Sequence, residues 1–180
     1  EDAHNARLRT VLEGAIAFYH AVLTGSKTGA PALDYLRGRG FTDETIAKHQ
    51  LGWAPAGWDQ LVRQLATKRQ VAPQELLEVG LASPRQRGGG VYDRFRERVI
   101  FPIRDAGGHP VGLGGRILGK EGEGGAATGP KYLNSPATPL FDKSRTLYLI
   151  DRAKSSIRKS GLAVIVEGYT DALMAHQAGF

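Results

Sequence analysis

A chain of 180 residues, 41% hydrophobic and 23% charged, has enough apolar material for a core and lacks the low hydrophobicity of a disordered segment. It has no cysteine, which excludes disulfides and cysteine-ligated zinc; no apolar run approaches a membrane span, and no basic-then-apolar leader opens it, so a cytoplasmic protein with no membrane partner is expected. A net charge of +6 leaves an anionic partner open.

From Asn5 to Leu23, Leu8, Leu12, Ala15, Tyr19 and Val22 recur at helical spacing, which predicts an amphipathic helix. Two short helical patterns follow, PALDYLRGRG and TDETIAKHQL, the second opened by Thr42 as an N-cap. LGWAPAG reads as a strand entering a Pro/Gly turn, WDQLVRQLATKR as a helix, and PQELLEVG as another. VYDRFRERVIFPIRD then alternates as one half-buried strand, with Phe95, Val99, Phe101 and Ile103 on one face and Arg94, Arg96 and Arg98 on the other. The Asp105–Gly108 run predicts a hairpin turn and HPVGLGGRIL its return strand. A Gly-rich polar loop, GKEGEGGAATGP, reads as a mobile connection to KYLNSP. The end changes rhythm: TLYLI as a short strand, DRAKSSIRKSG as a helix, LAVIV as a strand buried on both faces, and TDALMAHQAG as a last helix.

That βαβα order predicts a parallel sheet, in which ligands bind beyond the carboxyl ends of the strands. Glu167 stands at such an end, Gly168 allows a sharp exit, and Asp171 falls in the first turn of the next helix. A carboxylate there can hold a magnesium ion or act as a general base, and Asp171 is near enough to share the site. The pair can equally be a solvated strand terminus and a helix-dipole partner, and spacing leaves both readings open. The five histidines show no metal-binding spacing, so zinc is not expected.

Arginines at every second position from 94 to 98 would project from one strand face at intervals of roughly 6–7 Å, a ladder able to track phosphates. A solvated face with Asp93 and Glu97 as counterions is the alternative. Arg116 follows two glycines that would allow a ligand to approach closely, and KYLN offers a cation at Lys131, an aromatic face at Tyr132 and an amide at Asn134. GGRILGKE, from Gly114 to Glu121, nearly spells a phosphate-binding P-loop, but Glu121 stands where the metal-binding hydroxyl belongs, which argues against an ATPase.

Three runs in order, RVIFPIRDAGGHPVGLGGRIL, PKYLNSPATPLFDKSRTLYLI and VIVEGYTDALMAHQAGF, resemble the catalytic core of bacterial replicative DNA primases, the DnaG family, and FTDETIAKHQLGWAPAGWDQLV resembles it more loosely. The resemblance implies an α+β fold: a mixed N-terminal subdomain over residues 1–145 and, over 146–180, the opening βαβα of a Toprim-type parallel sheet. It also implies synthesis of short RNA primers on a single-stranded DNA template from ribonucleoside triphosphates, with Mg2+ or Mn2+ held by Glu167 of the EGY motif and Asp171 as its acidic neighbour. Lys131, Tyr132 and Asn134 match the KYLN motif of the family, Lys143 matches a basic position, and Arg39 corresponds loosely to a template-contacting arginine. Two further Asp-containing motifs are expected beyond Phe180, so the fragment alone is expected to be inactive. The zinc module and the C-terminal domain that meets the replicative helicase are expected outside it. A non-catalytic single-strand-binding module and another Toprim enzyme, a topoisomerase or nuclease, are the alternative readings.

Overall fold

The computed structural model describes residues 2–118 and 129–180. The mobile-loop expectation and the second half of the P-loop-like run fall on residues 119–128, outside the described residues. Helix α1 (Asp2–Gly25) carries Leu8, Leu12, Ala15 and Tyr19 on its buried stripe, as their spacing predicts. Helices α2 (Ala30–Gly38) and α3 (Asp43–Lys48) follow, and the Thr42 side chain caps α3 by accepting from the Thr45 N–H. Strand β1 (Gly52–Ala54), helices α4 (Gln60–Arg69) and α5 (Pro73–Glu78), and the β2 (Ala82–Pro84) and β3 (Val91–Asp93) pair come next.

The main sheet is antiparallel, in the order β1, β4 (Arg98–Arg104), β5 (Pro110–Ile117), β6 (Tyr132–Asn134). The β4–β5 hairpin forms around the expected turn and pairs Arg98 with Ile117 and Phe101 with Gly114. Strand β4 is buried along Arg98–Ile103 because both its faces are covered, so its apolar run is continuous where a half-buried strand would alternate. Ile100 and Leu113 pack with α1, α4 and α5, whereas Val99 and Phe101 pack with Leu36, Ile46, Leu149 and Leu173. Burying a side chain such as Phe101 contributes about 2–3 kcal/mol.

The arginine-bearing segment corrects the single-strand expectation. Residues 94–97 belong to neither β3 nor β4, and Glu97 turns the chain with a φ of 50°, a left-handed corner unusual for a residue with a Cβ. A two-residue alternation continues through this corner in the sequence, although the strand does not.

Helices α6 (Ile150–Ser160) and α7 (Tyr169–Gln177) form where expected, after a 3-10 turn at Lys143–Arg145. The strands expected at TLYLI and LAVIV do not form. Residues 148–149 are a turn leading into α6, and 162–166 have no ladder partner among the described residues, leaving Ile165 81% exposed. A strand is defined by its neighbour, and apolar content alone cannot supply one. Among the described residues no helix is long and apolar enough to cross a membrane.

Candidate nucleic-acid interface

The edge strand β6 gathers most of the candidate residues. Its register sets Tyr132 opposite Arg116 and Asn134 opposite Gly114. The Arg116 guanidinium lies 5.2 Å from the Tyr35 ring centre and 5.9 Å from that of Tyr132, and it donates to the Tyr35 hydroxyl. Tyr132 remains 41% exposed and Lys131 is exposed beside it, so one cation and one aromatic face stay open to solvent.

Asn134 joins this strand to the carboxylate-bearing loop. Its backbone carbonyl accepts from Arg94 Nη2 at 3.1 Å, and its side-chain Oδ1 accepts from the Tyr169 hydroxyl at 2.6 Å. Burial pushes the Tyr169 phenol up to about 12, so it remains a proton donor near neutrality. The Tyr169 ring stacks on Phe101 at 5.2 Å and 10°, and meets Tyr148 edge-on at 4.7 Å. A Cβ on Gly114 would lie 2.6 Å from this ring. The glycine space expected to admit a ligand is therefore filled from within, by Tyr169 at Gly114 and by Phe95 and Arg98 at Gly115.

The ladder of three arginines is likewise replaced by three separate environments. Arg98 is 3% exposed and donates from Nη1 to the carbonyl oxygens of Pro130 at 2.9 Å, Gly115 at 3.4 Å and Lys131 at 3.5 Å. Burial, then the charges of Arg94 and Arg96, depress its pKa, and burial depresses that of Arg94. The Arg96 guanidinium carbon lies over Trp58, 3.5 Å from the ring centre, with Tyr92 edge-on to the same ring at 5.4 Å. The corner at Glu97 separates their directions. Trp58 is 53% exposed and escaped the sequence reading; a lone tryptophan before a helix carries no signal until its cationic neighbour, 38 positions on, is known.

Glu167 is exposed immediately before the α7 N-cap, Gly168, and Asp171 occupies the first turn of α7. The Asp171 Oδ2 lies 2.9 Å from where a Gly168 Cβ would be, which folds this carboxylate back over the loop. Two exposed carboxylates are suitable oxygen donors for a hard cation, although no group of three metal-ligating side chains occurs among the described residues. Arg39 stands at the C-cap of α2 and Lys143 opens the 3-10 turn, and both are exposed. Beyond Arg39, the Gln177 side chain ties α7 to the chain, donating to the Gly40 carbonyl at 2.8 Å and accepting from the Thr42 N–H at 2.9 Å.

The fold recurs in solved proteins. The RNA polymerase domain of Mycobacterium tuberculosis primase DnaG superposes with a TM-score of 0.87 at 40% identity, covering 97% of this chain and 54% of that one. A DnaG primase catalytic domain bound to single-stranded DNA gives 0.85 at 36% identity, covering 99% and 53%. A DNA primase of Deinococcus radiodurans is 48% identical over 166 residues, 92% of this chain and 27% of that protein. The antiparallel sheet and the helices packed on it have the fold of the N-terminal part of a primase-type catalytic core. The chain belongs to the family described as the DNA primase catalytic core, N-terminal domain, which matches residues 18–154. It spans about a quarter of the length of the curated relatives it matches.

Proposed function

We propose that the chain is the N-terminal part of the RNA polymerase core of a bacterial DNA primase, a cytoplasmic enzyme that makes short RNA primers on single-stranded DNA from ribonucleoside triphosphates. Residues 1–145 form the template-facing subdomain and 146–180 begin the Toprim unit, with Leu149 and Leu173 packed at their junction. The remainder of the metal site and the surface that meets the replicative helicase lie in other parts of the longer protein.

Asn134 carries this reading, because it ties the basic strand to the carboxylate loop through Arg94 on one side and Tyr169 on the other. With its Oδ1 engaged by the phenol, Asn134 turns its amide N–H groups toward an acceptor on template or nucleotide. Lys131 and Arg116 meet phosphates, Tyr132 offers its face to a base or sugar, and Arg39, Arg96 and Lys143 extend the positive surface around them. Arg94 and Arg98 hold the sheet edge in shape through their carbonyl contacts. Glu167, with Asp171 as its acidic neighbour, would hold Mg2+ or Mn2+ through carboxylate oxygens, and such an ion would supply charge neutralisation at the triphosphate and a lowered pKa at the attacking hydroxyl.

The test is Mg2+-dependent primer synthesis by a chain extended beyond Phe180 through the rest of the core. Glu167→Gln is expected to abolish synthesis and leave template binding intact. Undiminished synthesis by that variant would refute the role of Glu167. Template binding with no synthesis, indifferent to magnesium, would favour a single-strand-binding module.

A further inference from the structure

The start of helix α4 is capped from a distance. Asp59 occupies the N-cap position, yet its side chain makes no capping bond and pairs instead with Arg63 at 2.8 Å. The N–H groups of Leu61 and Val62, which an N-cap side chain ordinarily satisfies, donate to the two carboxylate oxygens of Asp93 at 2.8 and 3.0 Å. The backbone N–H of Asp93 also donates to the Trp58 carbonyl at 2.7 Å. One residue of strand β3, 2% exposed, thus fixes both sides of the turn that bears Trp58. Burial, and after it the charge of Asp59, pushes the Asp93 carboxyl up, while the backbone N–H groups of Leu61, Val62 and Gln60 pull against it; burying so polar a group comes at a cost to stability.

A local N-cap would have satisfied the helix without that cost. What Asp93 adds is a rigid connection between the Trp58 turn and the strand leading to Arg96. The Trp58 ring is held between its own anchored backbone, the edge of Tyr92 and the guanidinium of Arg96, and still leaves 53% of the residue in solvent. An exposed indole fixed on several sides, with the Arg96 guanidinium against its ring, presents a pre-ordered π-face with positive charge behind it, suited to an unpaired nucleobase on an anionic strand.

We infer that Asp93 is a positioning residue that acts through Trp58, locking the indole as a stacking platform for a base of single-stranded nucleic acid, with Arg96 as its backing. The inference rests on the proposed template-facing role of this subdomain. Asp93 itself touches no ligand. Because the platform contacts a base, losing it should weaken binding without removing a phosphate contact, which is the reverse of what losing Lys131 should do.

The test uses the 180-residue chain carrying Trp53→Phe, so that Trp58 alone fluoresces, with a labelled deoxythymidine oligonucleotide titrated at several salt concentrations. Trp58→Leu should weaken binding about tenfold, the loss of one stacked base, with an unchanged salt slope. Asp93→Asn should weaken it by a similar factor, lower the anisotropy of Trp58 in the free protein, and add nothing further in the double variant with Trp58→Leu, since it acts only through the indole. Unchanged affinity in Asp93→Asn, or a further additive loss in the double variant, would overturn the assignment. Failure of the Trp53→Phe parent to bind would overturn the template-facing reading beneath it. Should Asp93→Asn not fold, hydrogen exchange on the unmodified chain decides: oligonucleotide must raise protection at the Leu61 and Val62 amides, and indifference of those amides contradicts the inference.

Discussion

Arg98 gives the sharpest contrast between a charge that contacts nucleic acid and one that builds the surface. Arg98→Met keeps most of the apolar stem against Phe95 and Gly115 and removes the guanidinium. The Pro130 carbonyl loses a donor at 2.9 Å, and the Gly115 and Lys131 carbonyls lose longer contacts at 3.4 and 3.5 Å. One strong hydrogen bond from a charged donor, plus two weak ones, corresponds to about 2–3 kcal/mol. At a urea m-value of about 2 kcal/mol/M, the unfolding midpoint should fall by about 1–1.5 M. At temperatures where the variant stays folded, its salt slope for single-stranded DNA should match that of the unmodified chain, because a guanidinium 3% exposed releases no counterion from a phosphate. Urea denaturation followed by anisotropy titrations measures both. An unchanged midpoint with a slope reduced by about 0.7 would refute the structural role and restore the phosphate ladder.

Other outcomes follow from the same contacts. Tyr169→Phe keeps the ring on Phe101 and deletes the bond to Asn134, so about 1 kcal/mol of stability should be lost in denaturant, and the Asn134 side-chain amide resonances should shift. Gly114→Ala puts a Cβ 2.6 Å from the Tyr169 ring and should cost about 1–3 kcal/mol, read as a lowered thermal midpoint. His49 is held down to about 4 by burial and by the nearby His176, Arg152 and Lys48. The unfolded chain therefore takes up this proton near pH 6.5 before the folded one does, and stability should fall as pH drops from 6.5 to about 4 and level off below for this group. Comparing urea midpoints at pH 7 and 4.5 checks it, and His49→Phe should lose less on acidification.

Much of the scaffold was legible because it is written in local patterns. The stripe of α1, the Thr42 cap and the β4–β5 turn all lie within a few residues of their own signals. What escaped depends on residues distant in sequence. Asp93 caps a helix 31 and 32 positions upstream, while the nearby Asp59 looks like the cap and is not. The corner at Glu97 has no glycine or asparagine to announce it, so the arginine alternation reads as one strand. Tyr132–Asn134 becomes a strand only through pairing with Gly114–Arg116, and LAVIV, richer in strand-forming residues, does not because no described segment pairs with it. Of the candidate site, the KYLN group and the EGY carboxylate stand out in the sequence as motifs. Their physical link through Tyr169 and Asn134 was not, since it joins side chains 35 positions apart.

The claim that the β6 edge faces template is tested most directly by anisotropy of a labelled single-stranded DNA at several salt concentrations, comparing the unmodified chain with a Lys131→Ala, Arg116→Ala double variant. A template edge requires binding that weakens steeply with salt and a slope reduced by about 1.4 in the variant, one phosphate contact for each cation removed. Identical affinity and slope in the two proteins would mean that this edge does not face nucleic acid.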